Sequence, residues 1–247
     1  MRQSIDAQLD YTLASSADLL FALEVAQMCD QVLITDRLSV SGVDILCPIA
    51  GSEGVGQRTW ATGAGRITAH YTATVDVDRS PATLATCEVD KFHDLPPQVV
   101  QFLLPSRYCE ADRFETAVRR EFGHLSGGGM IQALADWVKS HVEYVPGSSD
   151  GNTTAADTYV ARRGVCRDFA HLMIAMARAT GIPARMVGAY AWGLEPPDFH
   201  AVVEVWLSGA WYLVDATGLA PIEGIVRVAV GRDATDISFL TISGKPR

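Results

Sequence analysis

Arg163-Gly164-Val165-Cys166-Arg167-Asp168-Phe169-Ala170-His171-Leu172 opens an apolar stretch that runs on through Met173, Ile174, Met176 and Ala177 and stops at Gly181-Ile182-Pro183. Apolar residues occupy most sides of a 3.6-residue period, which predicts a central, buried helix beginning near Cys166. Gly181 suits a left-handed cap, and Pro183 cannot continue a helix. Gly164 allows a tight approach just before the first turn. The Cys166 thiol therefore stands at a helix N-terminus, where free N–H groups and the positive end of the dipole favour negative charge. A thiol attacks only as thiolate, so this placement is chemically suggestive. Arg162, Arg163 and Arg167 bring further positive charge close by in sequence.

Three strand-like runs follow this helix: Ala184 to Tyr190, His200 to Leu207 and Trp211 to Asp215. The last two are separated by Ser208-Gly209-Ala210, a hairpin turn. If Ser208-Gly209 is a two-residue loop, Leu207 opposes Ala210 and Val202 opposes Asp215. Asp215 then lies one diagonal step from His200 on the same face, about 7–8 Å away at the backbone and within side-chain reach. A loop one residue longer or shorter separates the two onto opposite faces.

A thiol, an imidazole and a carboxylate in that order form the layout of a nucleophilic cysteine enzyme. His200 would take the thiol proton and return it to the leaving group. Asp215 would hold the ring in one tautomer and stabilise the imidazolium. The Cys166 backbone N–H is a natural oxyanion donor. Taken singly, a helical cysteine is usually core, a histidine at a strand start is usually a satisfied polar edge, and an aspartate closing a strand is usually a turn former. The three together, on this geometry, point to catalysis by Cys166, His200 and Asp215, with no cofactor and no metal called for.

The rest of the chain frames that reading. With 247 residues and 48% apolar content, it has ample material for a packed core. A net charge of −9 argues against nucleic acid and anionic membrane as partners, and leaves oligomeric state open. No signal segment and no membrane-length apolar run is visible. The five cysteines form no C-x-x-C pair, which fits reduced thiols in a cytoplasm better than zinc or a disulfide framework. Arg66 to Val77 alternates as a strand; Val32 to Val40 and Val43 to Ile49 are shorter strand-like runs; Gly51 to Gly65 reads as a long hairpin loop; Leu19 to Ala26 is ambiguous between strand and helix. Pro96, Pro97 and Pro105 mark a change of texture, placing an N-terminal β-rich domain at 1–95 and an α/β-textured core at 96–247. Within that core Met130 to Val145 is an amphipathic helix, and Thr154 to Arg162 a short one leading to Gly164.

Gly164-Val165-Cys166-Arg167-Asp168-Phe169-Ala170, followed by Gly181-Ile182-Pro183-Ala184-Arg185, resembles the core signature of the transglutaminase-like superfamily. His200 opening a strand that ends in Glu204-Val205-Trp206, and Trp211 with Asp215-Ala216-Thr217 beyond it, resemble it too. The likeness covers about Met130 to Gly218. More loosely, the N-terminal β region, Leu104 to Glu110 and Val228 to Asp233 resemble bacterial members named as candidate cysteine proteases. Many members carry Trp after the His-Ala pair, where this chain has Val202. The resemblance implies an α+β fold: a sandwich-like β-rich domain, then a papain-like core with the nucleophile on a central helix packed on an antiparallel sheet. It maps nucleophile, base and orienting carboxylate onto Cys166, His200 and Asp215. It implies a peptide or protein substrate and leaves the reaction open among amide hydrolysis, Gln–Lys cross-linking and a scaffold that has lost activity. His171, about one and a half turns beyond Cys166, points to another face and reads as packing. Asp168 reads as a dipole complement. Whether Cys109, Tyr190 or Trp192 line the site is open.

Overall fold

The segment from Cys166 to Ala179 is a helix in which every residue from Asp168 to Arg178 is buried. The computed structural model describes residues 1–80 and 83–243. In chain order its strands and helices are β1 (Arg2–Phe21), β2 (Gln31–Val43), β3 (Cys47–Ala50), β4 (Gln57–Val77), α1 (Pro97–Val100), α2 (Glu115–Phe122), α3 (Gly127–His141), β5 (Glu143–Tyr144), α4 (Ala155–Ala161), β6 (Arg163–Gly164), α5 (Cys166–Ala179), β7 (Ala184–Ala191), β8 (Phe199–Leu207), β9 (Ala210–Val214), β10 (Ile225–Gly231), α6 (Ala234–Ile237) and β11 (Leu240–Ser243).

Helix α5 is the hub of an α+β fold. Its apolar residues share one core with Ile131, Leu134 and Val138 of α3 and with Ala184, Met186, Ala201, Val203 and Val205 of the sheet beside it. Leu172 and Ile174 are fully buried, so truncating either to Ala costs about 2–5 kcal/mol. A helix this deep must satisfy its buried arginine. Arg178 donates to the carbonyls of Ala184 at 3.0 Å, Leu104 at 3.0 Å and Arg232 at 2.6 Å, pinning the C-terminal turn. Gly181, with φ of +81°, ends the helix in the left-handed region, and the Ile182 N–H returns to the Ala177 carbonyl.

The sheet beside α5 is antiparallel, in the order β10-β7-β8-β9. Ser208 and Gly209 both have positive φ, 47° and 77°, as a two-residue primed hairpin turn requires. Leu207 accordingly pairs with Ala210 and Val203 with Val214, which is the register that brings Asp215 opposite Val202.

A second antiparallel sheet has the order β11-β1-β4-β2, with β3 also on β4. Its strands are longer than the sequence pattern suggests. The stretch from Gly51 to Gly65 is not a long loop: β4 starts at Gln57 and runs unbroken to Val77, paired with β1 along almost its whole length. Gly63 lies inside the strand because a side chain there would meet the Gly42 carbonyl at 2.7 Å and the Ile67 Cδ1 at 2.7 Å. Close backbone approach, rather than a turn, requires the glycine. Leu19 to Phe21 is strand and the residues after it are not helical.

The two sheets are joined by packing and by charge. Tyr190 stacks near Tyr71 at 6.3 Å and donates to the Leu23 carbonyl at 2.8 Å; Phe199 stacks on Phe239 at 3.8 Å. Arg227 bridges Glu204 at 2.7 Å and Asp30 at 2.8 Å. Glu204 also holds Arg185 at 2.7 Å, and Asp30 holds Arg79 at 2.7 Å. At the chain's end β11 pairs with β1 from Asp18 to Phe21.

Candidate active site

The approach to Cys166 is fixed on both sides. Arg162 ends α4 in the left-handed region, and the two-residue parallel ladder of β5 and β6 sets Tyr144 opposite Gly164. Gly164 is required here: a Cβ would stand 2.6 Å from the Cβ of Asp168. Asp168 is wholly buried and caps α5 by accepting the Val165 N–H at 2.8 Å. The same carboxylate accepts from the Ser149 hydroxyl and pairs with Arg167 at 3.1 Å, while Arg167 donates to the Asp150 carbonyl at 2.8 Å. One buried carboxylate thus ties the loop before α4 to the first turn of α5.

The nearby arginines do not act on the thiol as their sequence proximity suggests. Arg167 is neutralised by Asp168. Arg162 lies over the rings of Trp137 and Tyr159, 4.6 and 4.3 Å from their centroids. Arg163 is exposed. What remains at the sulfur is the helix N-terminus and the imidazole.

His200, on β8, is 2% exposed. Its Nε2 lies 3.1 Å from Asp215 Oδ2, which leaves Nδ1 for the thiol side, where the ring meets Cys166. Burial disfavours the charged ring, but the hydrogen bond to Asp215 and the nearby Cys166 sulfur prevail and raise its pKa to about 9. Asp215 follows β9 directly. Burial works against its ionised form, yet the bonds to His200, to Thr217 and to the Ala220 N–H hold its pKa below the ordinary carboxylate value. Those partners lie at 2.9 Å (Thr217 N), 2.7 Å (Thr217 Oγ1) and 3.1 Å (Ala220 N). The turn after β9 and the imidazole therefore orient the same carboxylate. The structure brings Cys166, His200 and Asp215 together.

Sequence reasoning missed Tyr144. Its ring stands beside Cys166, and desolvation first, then the sulfur, raises its pKa above the ordinary phenol value. Its ring tilts against Phe169 at 5.9 Å. Tyr144 lies 22 residues before Cys166, at the frayed end of an amphipathic stretch. Only the β5–β6 ladder brings it in, and a two-residue ladder leaves no periodic signal. The Cys166 N–H, at the start of α5, and the Tyr144 hydroxyl both stand on the thiol side, where a carbonyl under attack by Sγ would carry its negative charge.

The structure matches known proteins at two levels. The model of the transglutaminase-like superfamily matches residues 107–216. Over 99% of its length the chain superposes on the crystal structure of a candidate cysteine protease from Cytophaga hutchinsonii, with a TM-score of 0.91 and 34% sequence identity, covering 86% of that chain. This chain belongs to the transglutaminase-like superfamily. An uncharacterised Mycobacterium leprae protein is 35% identical over 122 residues, 44% of this chain and 42% of that protein. An uncharacterised Mycobacterium tuberculosis protein is 33% identical over 82 residues, 33% of this chain and 26% of that one. The match thus spans less than half the length of these two relatives.

Within this transglutaminase-like core the other notable side chains pack or lie outside. Cys109 is fully buried, and burial pushes its pKa up to about 12. His171 stacks on Tyr108 at 5.0 Å, and its Nε2 accepts from the Ala234 N–H at 3.2 Å; burial lowers its pKa to about 4, so the ring is neutral. Trp206 and Trp211 face each other across the β8–β9 hairpin at 5.3 Å, and Arg185 covers Trp211 at 4.1 Å. Val202, where many members carry Trp, is 1% exposed in the core on the sheet. Trp192 is 58% exposed. Among the described residues no group of three or more His, Cys, Asp or Glu converges on a metal-sized site, and no helix is long and apolar enough to cross a membrane.

Proposed function

We propose that the protein is a cysteine-nucleophile hydrolase that cleaves a peptide or other amide bond through a thioester acyl-enzyme. The observation that carries this reading is the buried imidazole of His200, hydrogen-bonded to Asp215 on one side and facing Cys166 on the other. His200 takes the thiol proton and Sγ attacks the substrate carbonyl carbon. The developing oxyanion accepts from the Cys166 N–H and the Tyr144 O–H. The imidazolium passes its proton to the leaving amine, the C–N bond breaks and a thioester remains. His200 then removes a proton from water, the hydroxide attacks the thioester, and the acid departs as the thiol is restored. Once it holds the thiol proton, a ring whose pKa is raised to about 9 keeps it through neutral pH until the leaving nitrogen takes it.

Water is the acceptor in this reading. A transamidase must disfavour bulk water at roughly 55 M, which calls for a drier channel beside the thiol. Of the three tryptophans near the motif in sequence, Trp206 and Trp211 are spent on the hairpin, set edge to face with Arg185 over Trp211, and Trp192 is exposed. The five free thiols suit a reducing, cytoplasmic setting. Supplying an acyl donor with a labelled primary amine tests the acceptor. Free-acid release should exceed label incorporation, and both should vanish in Cys166→Ala. Predominant incorporation that depends on Cys166 assigns a transglutaminase instead.

A further inference from the structure

A cavity of about 610 Å³ lies beside the candidate active site. One wall is the segment between β7 and β8, from Tyr190 to Leu194 and from Pro197 to Phe199; the other is Arg2 to Gln8 of β1. Asp198 and Phe199 stand two residues and one residue before His200, so the cavity flanks the strand end that carries the candidate base.

The β1 wall has an informative pattern. Seven consecutive residues line the cavity, although successive side chains of a strand point to opposite faces of the sheet. Arg2, Ser4, Asp6 and Gln8 are on the exposed face, while Gln3, Ile5 and Ala7 are turned inward. What all seven share is the strand's edge. Among the described residues that edge is open: β4 pairs with β1 on one side from Arg2 onward, and on the other β11 covers only Asp18 to Phe21. From Arg2 to Leu13 the ladder with β4 has no register break, and the stretch contains no Pro, Gly or Lys, the residues that usually blunt an edge. The outer edge of β2, by contrast, carries two register breaks and faces no such wall.

We propose that this slot binds the substrate as an extended peptide, which adds a strand to the open edge of β1 and runs past Phe199 to Cys166. The inference rests on the amide-cleaving reading above and supplies its substrate class: an unfolded or extended polypeptide segment. An extended chain is the occupant that satisfies a row of alternating N–H and C=O groups along seven residues, about 23 Å at 3.3 Å per residue.

The test tethers the peptide at the thiol. In a Cys29→Ser, Cys47→Ser, Cys87→Ser background, a pyridyl disulfide on an extended peptide of roughly six residues is exchanged onto Cys166, and a single-residue pyridyl disulfide serves as control. Amide exchange is read residue by residue by NMR. The proposal predicts that alternate amides between Arg2 and Gln8 slow at least about tenfold with the long adduct relative to the short one, while those of β2 do not change. Equal exchange in the two adducts overturns it, and so does slowing spread evenly over β1 and β2. The disulfide forms whether or not Cys166 turns over substrate, so failure here is separable from failure of the proposed reaction.

Discussion

Asp215 serves two masters, the imidazole of His200 and the turn through Thr217 and Ala220. Asp215→Asn leaves Oδ1 to accept from Thr217 but turns an NH₂ toward both the Ala220 N–H and the imidazole. Turnover should fall by roughly 10²–10⁴ because the ring settles in the wrong tautomer, and stability by about 1–3 kcal/mol because a buried N–H loses its acceptor. Circular dichroism should show an intact fold. The pH dependence follows the same pair. A ring whose pKa is raised from the ordinary 6.5 to about 9 contributes stability that is complete below about 6.5 and is lost as pH rises through about 9. Rate should follow the protonated ring: kcat/KM should decline on the alkaline side near pH 9 in the native protein, and nearer 6.5 in Asp215→Asn. An unmoved alkaline limb would separate Asp215 from the chemistry. At this scale the placement of Cys166, His200 and Asp215 was legible because each sits at the end of a strongly patterned element. Tyr144 was not, because its partner is a non-local ladder of two residues.

At the scale of elements, the start of α5 is where packing and chemistry are least separable. Gly164→Ala drives a methyl group into Asp168, and overpacking of this kind costs about 1–3 kcal/mol. Asp168→Ala strips the cap from Val165 and releases Ser149 and Arg167 from their shared acceptor. Both variants should show a lowered Tm, and a loss of kcat larger than the stability change alone explains, since Cys166 moves with the turn. Full kcat in Asp168→Ala would mean that this cap is dispensable to the site. The strands tell how far pattern reading goes. The β8–β9 register was recoverable because Ser208-Gly209 admits a primed two-residue turn and buried alternation fixes the rest. The N-terminal strands were underread: the glycines from Gly51 to Gly65 look like loop residues, whereas Gly63 answers to crowding by Gly42 and Ile67, neither of which is visible locally. β1 was missed because Gln3 and Ala7 give its inward face too little apolar weight.

Across the whole molecule, Glu204 is the point at which the two sheets are bound by charge. It is fully buried between Arg185 and Arg227, and Arg227 continues to Asp30 and Arg79 from the N-terminal sheet side. Glu204→Gln leaves two buried guanidiniums without their counter-charge and should lower unfolding free energy by about 3–5 kcal/mol, read as a shifted denaturant midpoint at unchanged m-value. A loss no greater than that of a surface pair, about 1 kcal/mol, would show that apolar packing alone joins the sheets. No sequence pattern marks this network, because its members are spread from Asp30 to Arg227. The central claim is that Cys166 carries the acyl group. Intact-mass analysis of the quenched protein after incubation with a peptide amide library, followed by peptide mapping, tests it most directly. The account predicts an added acyl mass on the fragment containing Cys166, retained at acid pH, discharged by hydroxylamine and absent in Cys166→Ala. Product formed with no adduct at Cys166, or turnover that survives Cys166→Ala, would contradict it.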